Sequence, residues 1–294
     1  MPDLYQELNP RLVERLVCPV CGAPMAVTSD GRGLSCAASA GRVHHFDGAA
    51  GGYVNLAPTH SGGGDSKEAV RARSAFLRSG YYAPAADIMA FIVDEFTPED
   101  GIVLDAGCGE GYYSGRIAEE GCPVLGVDLS KFAVDAAAKD ARRRRNEGGY
   151  DARTLYAVGS VFQLPVADES FDTLVNIFAP CAPAEYARVL KKGGHLIVAG
   201  AGERHLLGLK QVIYDDPYLN DPRRDLPAEG DGFTLLEIRN ITFEIMVEDP
   251  AHREALFSMT PYYWRTSRVG HDRLAAAETL VTEVSFDFHI YRKN

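Results

Sequence analysis

The distribution of apolar positions changes character along the chain. Residues 67 to 78 contain neither Gly nor Pro and mix charge with Ala, Phe and Leu, which predicts a helix with Ser66 as its N-cap. Pro84 suits the first turn of a second helix over 85 to 96, where Ile88, Phe91, Ile92 and Phe96 make an apolar stripe. From residue 102 the pattern switches to short apolar runs alternating with helical stretches. Strands are predicted at 102 to 104, 124 to 127, 154 to 158, 173 to 178 and 195 to 199. Helices are predicted at 112 to 120, 131 to 145 and 185 to 190, with a turn at Gly193-Gly194. Strands alternating with helices imply an α/β fold whose mostly parallel sheet is covered on both faces.

Before this region the pattern is weak, and residues 59 to 66 (Thr-His-Ser-Gly-Gly-Gly-Asp-Ser) have linker composition. The expected organisation is a small module at 1 to 58, a mobile linker at 59 to 66, and a large domain at 67 to 294. No internal repeat is visible. No run approaches the roughly 20 apolar residues of a membrane span, and no apolar signal segment precedes Cys18. The expectation is a cytoplasmic protein that does not contact membranes.

The net charge of −11 argues against indiscriminate nucleic-acid binding, which needs Lys and Arg on the phosphates. Arg142 through Arg145 form a basic run, and Arg71, Arg73 and Arg78 share one segment. Both sets read as solvated faces. Of six cysteines, Cys108, Cys122 and Cys181 sit in apolar segments and read as packing residues.

The chemistry concentrates at Val103-Leu104-Asp105-Ala106-Gly107-Cys108-Gly109-Glu110-Gly111, between a predicted strand and a predicted helix. Glycines there permit a tight turn and close approach of backbone to a ligand. A glycine loop alone is common to many nucleotide folds. Here Asp105 ends the preceding strand and Asp128 ends the next one. Asp128 is placed to accept from two ribose hydroxyls, and Asp105 to face the ammonium of an amino-acid moiety. Ser160 and Val161 hold the polar-then-apolar positions that meet adenine in methyltransferases, although many relatives have Asp where Ser160 stands. The order of these elements predicts a class I, Rossmann-like S-adenosylmethionine-dependent methyltransferase.

Cys18-Pro19-Val20-Cys21-Gly22 is a zinc-knuckle signature. Cys36 supplies a third ligand, and His44 or His45 the fourth, closing a tetrahedral shell around a structural Zn2+. A redox C-x-x-C is disfavoured, because no thioredoxin-like pattern surrounds it.

Almost end to end, the chain resembles the bacterial 23S rRNA (guanine-N1)-methyltransferases, some of which protect the ribosome against macrolides of the tylosin type. The resemblance rests on Cys18-Pro19-Val20-Cys21, His45-Phe46-Asp47, Gly51-Gly52-Tyr53-Val54-Asn55-Leu56, Gly64-Asp65-Ser66, Asp105 to Tyr113, Ala179-Pro180-Cys181, Arg204-His205-Leu206 and Met259-Thr260-Pro261. It implies a mostly parallel seven-stranded sheet with the zinc module appended. It also implies donor contacts from Tyr82, His205, Gly109 and Glu110, joining Gly107, Gly111, Asp105, Asp128, Ser160 and Val161. Alignment favours His44 over His45 as ligand, although the spacing from Cys36 is longer than in relatives. The expected partner is a hairpin of 23S rRNA held in the cleft of a homodimer.

The loop Asn176-Ile177-Phe178-Ala179-Pro180 lies where class I folds place the target, and Phe178 reads equally as a stacking face or a core aromatic. No general base is assigned; Glu110 and Glu203 are the candidates. Two other functions fit less well: a small-molecule methyltransferase, which would not need the zinc module, and a non-catalytic ribosome- or RNA-binding protein with a relic donor fold, which would not need Asp105 and Asp128.

Overall fold

The computed structural model describes residues 9–37, 41–57, 63–147, 153–223 and 226–294. Near the N-terminus, helix α1 (Pro10–Val13) precedes strands β1 (Met25–Val27), β2 (Gly33–Cys36) and β3 (His45–Asp47), which pair antiparallel in that order. Strand β4 (Tyr53–Asn55) follows, then helices α2 (Lys67–Arg78) and α3 (Ala83–Phe96). The alternating region comprises β5 (Val103–Ala106), α4 (Tyr112–Glu119), β6 (Val124–Asp128), α5 (Lys131–Asn146), β7 (Thr154–Val158), β8 (Phe171–Ile177), α6 (Pro183–Val189) and β9 (Leu190–Ala201). After α7 (Leu207–Ile213) come β10 (Phe233–Val247), α8 (Pro250–Ser258), α9 (Arg268–Ala276) and β11 (Leu280–Lys293).

The large sheet runs β10-β11-β9-β8-β5-β6-β7-β4. Its pairs from β4 through β9 are parallel, whereas β11 runs antiparallel to both β9 and β10. The Gly193-Gly194 turn is absorbed into β9 as a wide bulge: Phe171 lies opposite Leu190, but Thr173 lies opposite His195.

The sheet therefore has eight strands where seven were expected. The additional one is β4, contributed by the N-terminal region. Every residue of β7 is buried, so that strand needs a neighbour on its outer edge, and Tyr53 to Asn55 pair with Tyr156 to Val158. The N-terminal module is also joined through the core. Leu12, Leu16 and Leu34 belong to the same apolar cluster as Leu125, Leu155, Val166 and Phe171. The Val17 amide donates to the Pro165 carbonyl at 2.9 Å.

The expected linker falls partly on residues 59–62, outside the described residues. Its last part is packed rather than free: the Ser130 hydroxyl donates to the Asp65 carbonyl at 2.8 Å, and a Cβ on Gly64 would come within 2.7 Å of Ser130 backbone. Ser66 caps α2 as expected, its hydroxyl accepting from the Ala69 amide at 3.2 Å. Among the described residues no helix is long and apolar enough to cross a membrane.

Candidate donor site and metal centre

The glycine loop joins β5 to α4 with Gly107, Gly109 and Gly111 all at positive φ (90°, 54° and 75°). These are conformations that L side chains rarely adopt. Space is also restricted. A Cβ on Gly107 would lie 2.4 Å from the Ala179 Cβ, and one on Gly111 would lie 2.7 Å from the Tyr156 hydroxyl. The first contact puts the 178–180 loop directly over the start of the glycine loop.

Two acids flank it. Asp105 is 1 % exposed; its Oδ2 accepts from the Ser114 hydroxyl at 2.5 Å, while its Oδ1 has no hydrogen-bond partner. Burial, reinforced by the nearby Asp128 charge, holds the Asp105 carboxyl up at about 7. Asp128 accepts from the Gly109 amide at 3.0 Å through Oδ2 and from the Ser130 amide at 2.7 Å through Oδ1. These bonds tie the tip of β6 to the glycine loop and leave one acceptor lobe on each oxygen. Burial raises the pKa of Asp128 as well.

Arg73 is not on a solvated face. Its Nε donates to both Glu110 oxygens, at 2.7 and 3.1 Å, and its other arm is paired with Asp65. The Glu110 carboxylate, expected at the donor, is thus engaged by a guanidinium that also packs near Gly109. The Arg142 to Arg145 run is solvated only in its first half: Arg142 and Arg143 are exposed, Arg143 pairing with Asp140 and Glu147, whereas Arg144 and Arg145 are half-buried, Arg144 pairing with Asp140 and Glu119. On the far side, Ser160 accepts from the Phe162 amide at 3.2 Å, leaving its hydroxyl proton available, and Val161 packs against the core that contains Ala106 and Val127.

Tyr82 and His205, 123 residues apart in sequence, meet at 3.4 Å, both buried. The Ser285 amide donates to His205 Nδ1 at 3.2 Å, so the ring proton sits on Nε2 and points to the Tyr82 hydroxyl oxygen. Burial, then the positive charge of Lys210, push His205 down to about 3, so the ring is neutral. Phe178 stands 5.7 Å from His205 and 4.8 Å from Phe286, centroid to centroid. It has φ 52° and is 49 % exposed, so it is a presented ring rather than a core residue. Asn176 is buried; its amide donates to the Tyr186 hydroxyl at 2.6 Å and the Pro180 carbonyl at 3.0 Å, which fixes the loop. Pro180 is exposed at the loop's end.

Sequence reasoning assigned no role in the site to Ser114, Arg73 or Lys210, although Ala72-Arg73 and Leu209-Lys210 are among the stretches that match the family. Lys210 is fully buried on α7, five residues after His205.

The N-terminal cysteines converge. Cys18, Cys21, Cys36 and His44 bring four ligand atoms within 4.8 Å of one another. The Cys21–Cys36 sulfur separation is 3.8 Å, and His44 Nδ1 lies 3.6 Å from both Cys18 and Cys36 sulfurs. A tetrahedron with metal–sulfur bonds of about 2.3 Å and metal–nitrogen bonds of about 2.0–2.1 Å has edges of about 3.8 and 3.6 Å. The fit to zinc is close. The His44 amide donates to the Cys36 sulfur at 3.2 Å and is the first cause of that thiol's lowering to about 7. His45 is exposed at the start of β3 and is not part of the cluster.

Comparison with known proteins agrees with both centres. Residues 16–62 match the family model "RlmA, N-terminal", a zinc ribbon, and residues 104–198 match the methyltransferase domain model. A Micromonospora griseorubida protein named as a 23S rRNA (guanine-N1)-methyltransferase is 33 % identical over 221 residues, 69 % of this chain and 70 % of that one. A Bacillus subtilis protein with the same naming is 29 % identical over 262 residues, 84 % of this chain and 86 % of its own. The Streptomyces fradiae 23S rRNA (guanine(748)-N1)-methyltransferase is 34 % identical over 213 residues, 70 % of each chain. With a glycine loop framed by two acids, a ribbon geometry that suits zinc, and this similarity to relatives along most of their length, the chain belongs to the 23S rRNA (guanine-N1)-methyltransferase family of S-adenosylmethionine-dependent enzymes.

Proposed function

We propose that the enzyme methylates N1 of a guanine in a hairpin of 23S rRNA, acting in the cytoplasm. The observation that carries this reading, beside the family, is the loop after β8. Ala179 is seated on Gly107, so the exposed ring of Phe178 stands beside the donor loop, where an extruded base can stack.

The residues fit S-adenosylmethionine. The unpartnered Asp105 Oδ1 suits its ammonium, and Asp128 suits its ribose hydroxyls. Ser160 and Val161 suit the adenine, while Tyr82 and His205 line the methionine end. When bound, it supplies an electrophilic methyl group. The chain's task is to hold guanine N1 in line with that group and to let the N1 proton leave. His205 does not take this proton, because its free nitrogen already accepts from the Ser285 amide. Glu110 is held in its ion pair with Arg73. That leaves Glu203, exposed on the same loop as His205, as the acceptor among the acids singled out from the sequence.

The zinc ribbon carries exposed Arg32 and Arg42, which suit rRNA phosphates. A homodimer clasping the hairpin is the expected assembly, and light scattering that gives only a monomer at assay concentration refutes it. The test of function is tritium transfer from labelled S-adenosylmethionine to 23S rRNA, with the modified nucleotide mapped. N1-methylguanine in one hairpin is the expected product. Transfer to a metabolite extract but not to rRNA overturns the proposal in favour of a small-molecule substrate.

A further inference from the structure

Lys210 is a buried cation. Among the described residues no carboxylate pairs with it. Its ammonium donates to the Tyr218 carbonyl at 3.0 Å and to Asn220 Oδ1 at 2.7 Å. It lies 4.4 Å from the Tyr218 ring centroid and 5.1 Å from that of Tyr262. A buried charge without an ionic partner is costly, and ring faces and oxygen dipoles offset only part of that cost. The arrangement serves to stitch two segments together. The Tyr262 hydroxyl also donates to Asn220 Oδ1 at 3.0 Å, and the Asn220 amide donates to the carbonyls of Gly202 and His205, both at 3.0 Å. The segments around Tyr218 and Tyr262 are thus anchored to the loop that carries His205.

The outer face of this assembly is aromatic and cationic. Trp264 is 86 % exposed and stands edge-on to Tyr263 at 5.1 Å. Tyr218 is about half exposed, and Arg265 is close enough to oppose the rise in its pKa. Arg265 makes no ion pair among the described residues, in contrast to the paired Arg143 and Arg144. The acid on the same stretch, Asp215, is neutralised by Arg273 at 2.7 Å; Asp216 stays exposed. On a chain of net charge −11, an exposed indole next in sequence to an unpaired guanidinium, on the segment that Tyr262 ties to Lys210 and Asn220, is complementary to an anionic strand with bases to stack.

We infer that Trp264, Tyr218 and Arg265 form a stacking platform for rRNA nucleotides flanking the methylated guanine, with Lys210 and Asn220 setting its position relative to His205. This rests on the rRNA reading above. The platform orders the strand beside the donor pocket, so it governs RNA affinity rather than donor affinity.

Trp264 is the single tryptophan of the chain, so intrinsic indole emission reports on this surface alone. Titrating a 23S rRNA hairpin fragment into the parent enzyme should quench that emission, saturating in the concentration range of half-maximal methyl transfer. Inorganic polyphosphate, which carries charge without bases, should not quench it. Trp264→Ala should raise KM for the hairpin about tenfold, within the range for loss of one stacked base. Its kcat and its calorimetric affinity for S-adenosylmethionine should stay within twofold of the parent, and Trp264→Phe should recover most of the loss. If the parent methylates rRNA while its emission is unmoved, or polyphosphate quenches equally, or Trp264→Ala keeps the parental KM, the platform is refuted and the rRNA reading stands. If the parent transfers nothing to rRNA, the rRNA reading itself falls.

Discussion

Replacing Asp105 by Asn separates what the site does for its ligand from what it costs the fold. Asp105 is almost wholly buried, one oxygen has no partner, and its carboxyl is held up at about 7 against an ordinary 3.8. A folded-state pKa above the unfolded one means that the native protein holds the proton more tightly. The associated stability is therefore fully present below about pH 4 and is lost as pH rises through 7. At about 1.36 kcal/mol per pH unit, the interval corresponds to about 4 kcal/mol at pH 8, as an upper figure. Asparagine keeps the acceptor for the Ser114 hydroxyl and never ionises. Without donor, Asp105→Asn should match the parent near pH 4 and exceed it at pH 8, raising Tm by several degrees at about 2 °C per kcal/mol. With donor that advantage shrinks, since the ammonium of S-adenosylmethionine loses its counter-charge. That loss is worth about 1.5–3 kcal/mol, roughly tenfold to a hundredfold in Kd. Thermal unfolding at pH 4 to 8 and donor calorimetry at pH 8 read both effects. A variant that is no more stable than the parent at pH 8, or that binds the donor with parental affinity, refutes the argument.

Three further outcomes are expected. Asp128→Ala should weaken both S-adenosylmethionine and its demethylated product by about 1.5–3 kcal/mol in calorimetry, because ribose hydroxyls lose a charged acceptor and the Gly109 amide loses its anchor. Gly107→Ala places a Cβ 2.4 Å from that of Ala179 in a backbone at φ 90°, so donor affinity and thermal stability should both fall; a variant like the parent in both would show that the two loops part freely. Cys18→Ser with Cys21→Ser should release zinc by metal analysis and abolish rRNA methylation. Sequence organisation alone suggests that donor affinity survives within about tenfold, but the shared core predicts one lowered unfolding transition for the whole chain. Two separate transitions in scanning calorimetry would contradict that.

Features set by neighbours in sequence were legible in advance. The cap and both ends of α2, the whole of β7, and the acids closing β5 and β6 follow from local pattern and turn chemistry. Features set by partners far along the chain were not. Arg73 reads as solvated because Glu110 lies 37 residues away, and Lys210 as ordinary because its cage closes only when Tyr218 and Tyr262 meet. Strands β10 and β11 pair Phe233 with Lys293; β10 alternates between exposed and covered positions from Leu236 to Val247, but Glu237 and Arg239 lie on its covered face and Ile238 and Met246 on its exposed one, which blurs the apolar pattern. The choice between His44 and His45 needed the fold: β3 begins at His45, which turns that ring away and leaves His44 with the thiols.

The parallel pairing of β4 with β7 determines how this enzyme can be taken apart. A ribbon transplanted from a relative has to be joined before Tyr53, so that the host keeps its own edge strand. Removal of the chain through Asn55 would strip the outer side of β7 and leave a fully buried strand with open amides and carbonyls, which is a template for aggregation. The ribbon and the methyltransferase domain are thus separable only at the edge of the sheet, ahead of β4, not at the glycine-rich stretch that looks like the natural joint.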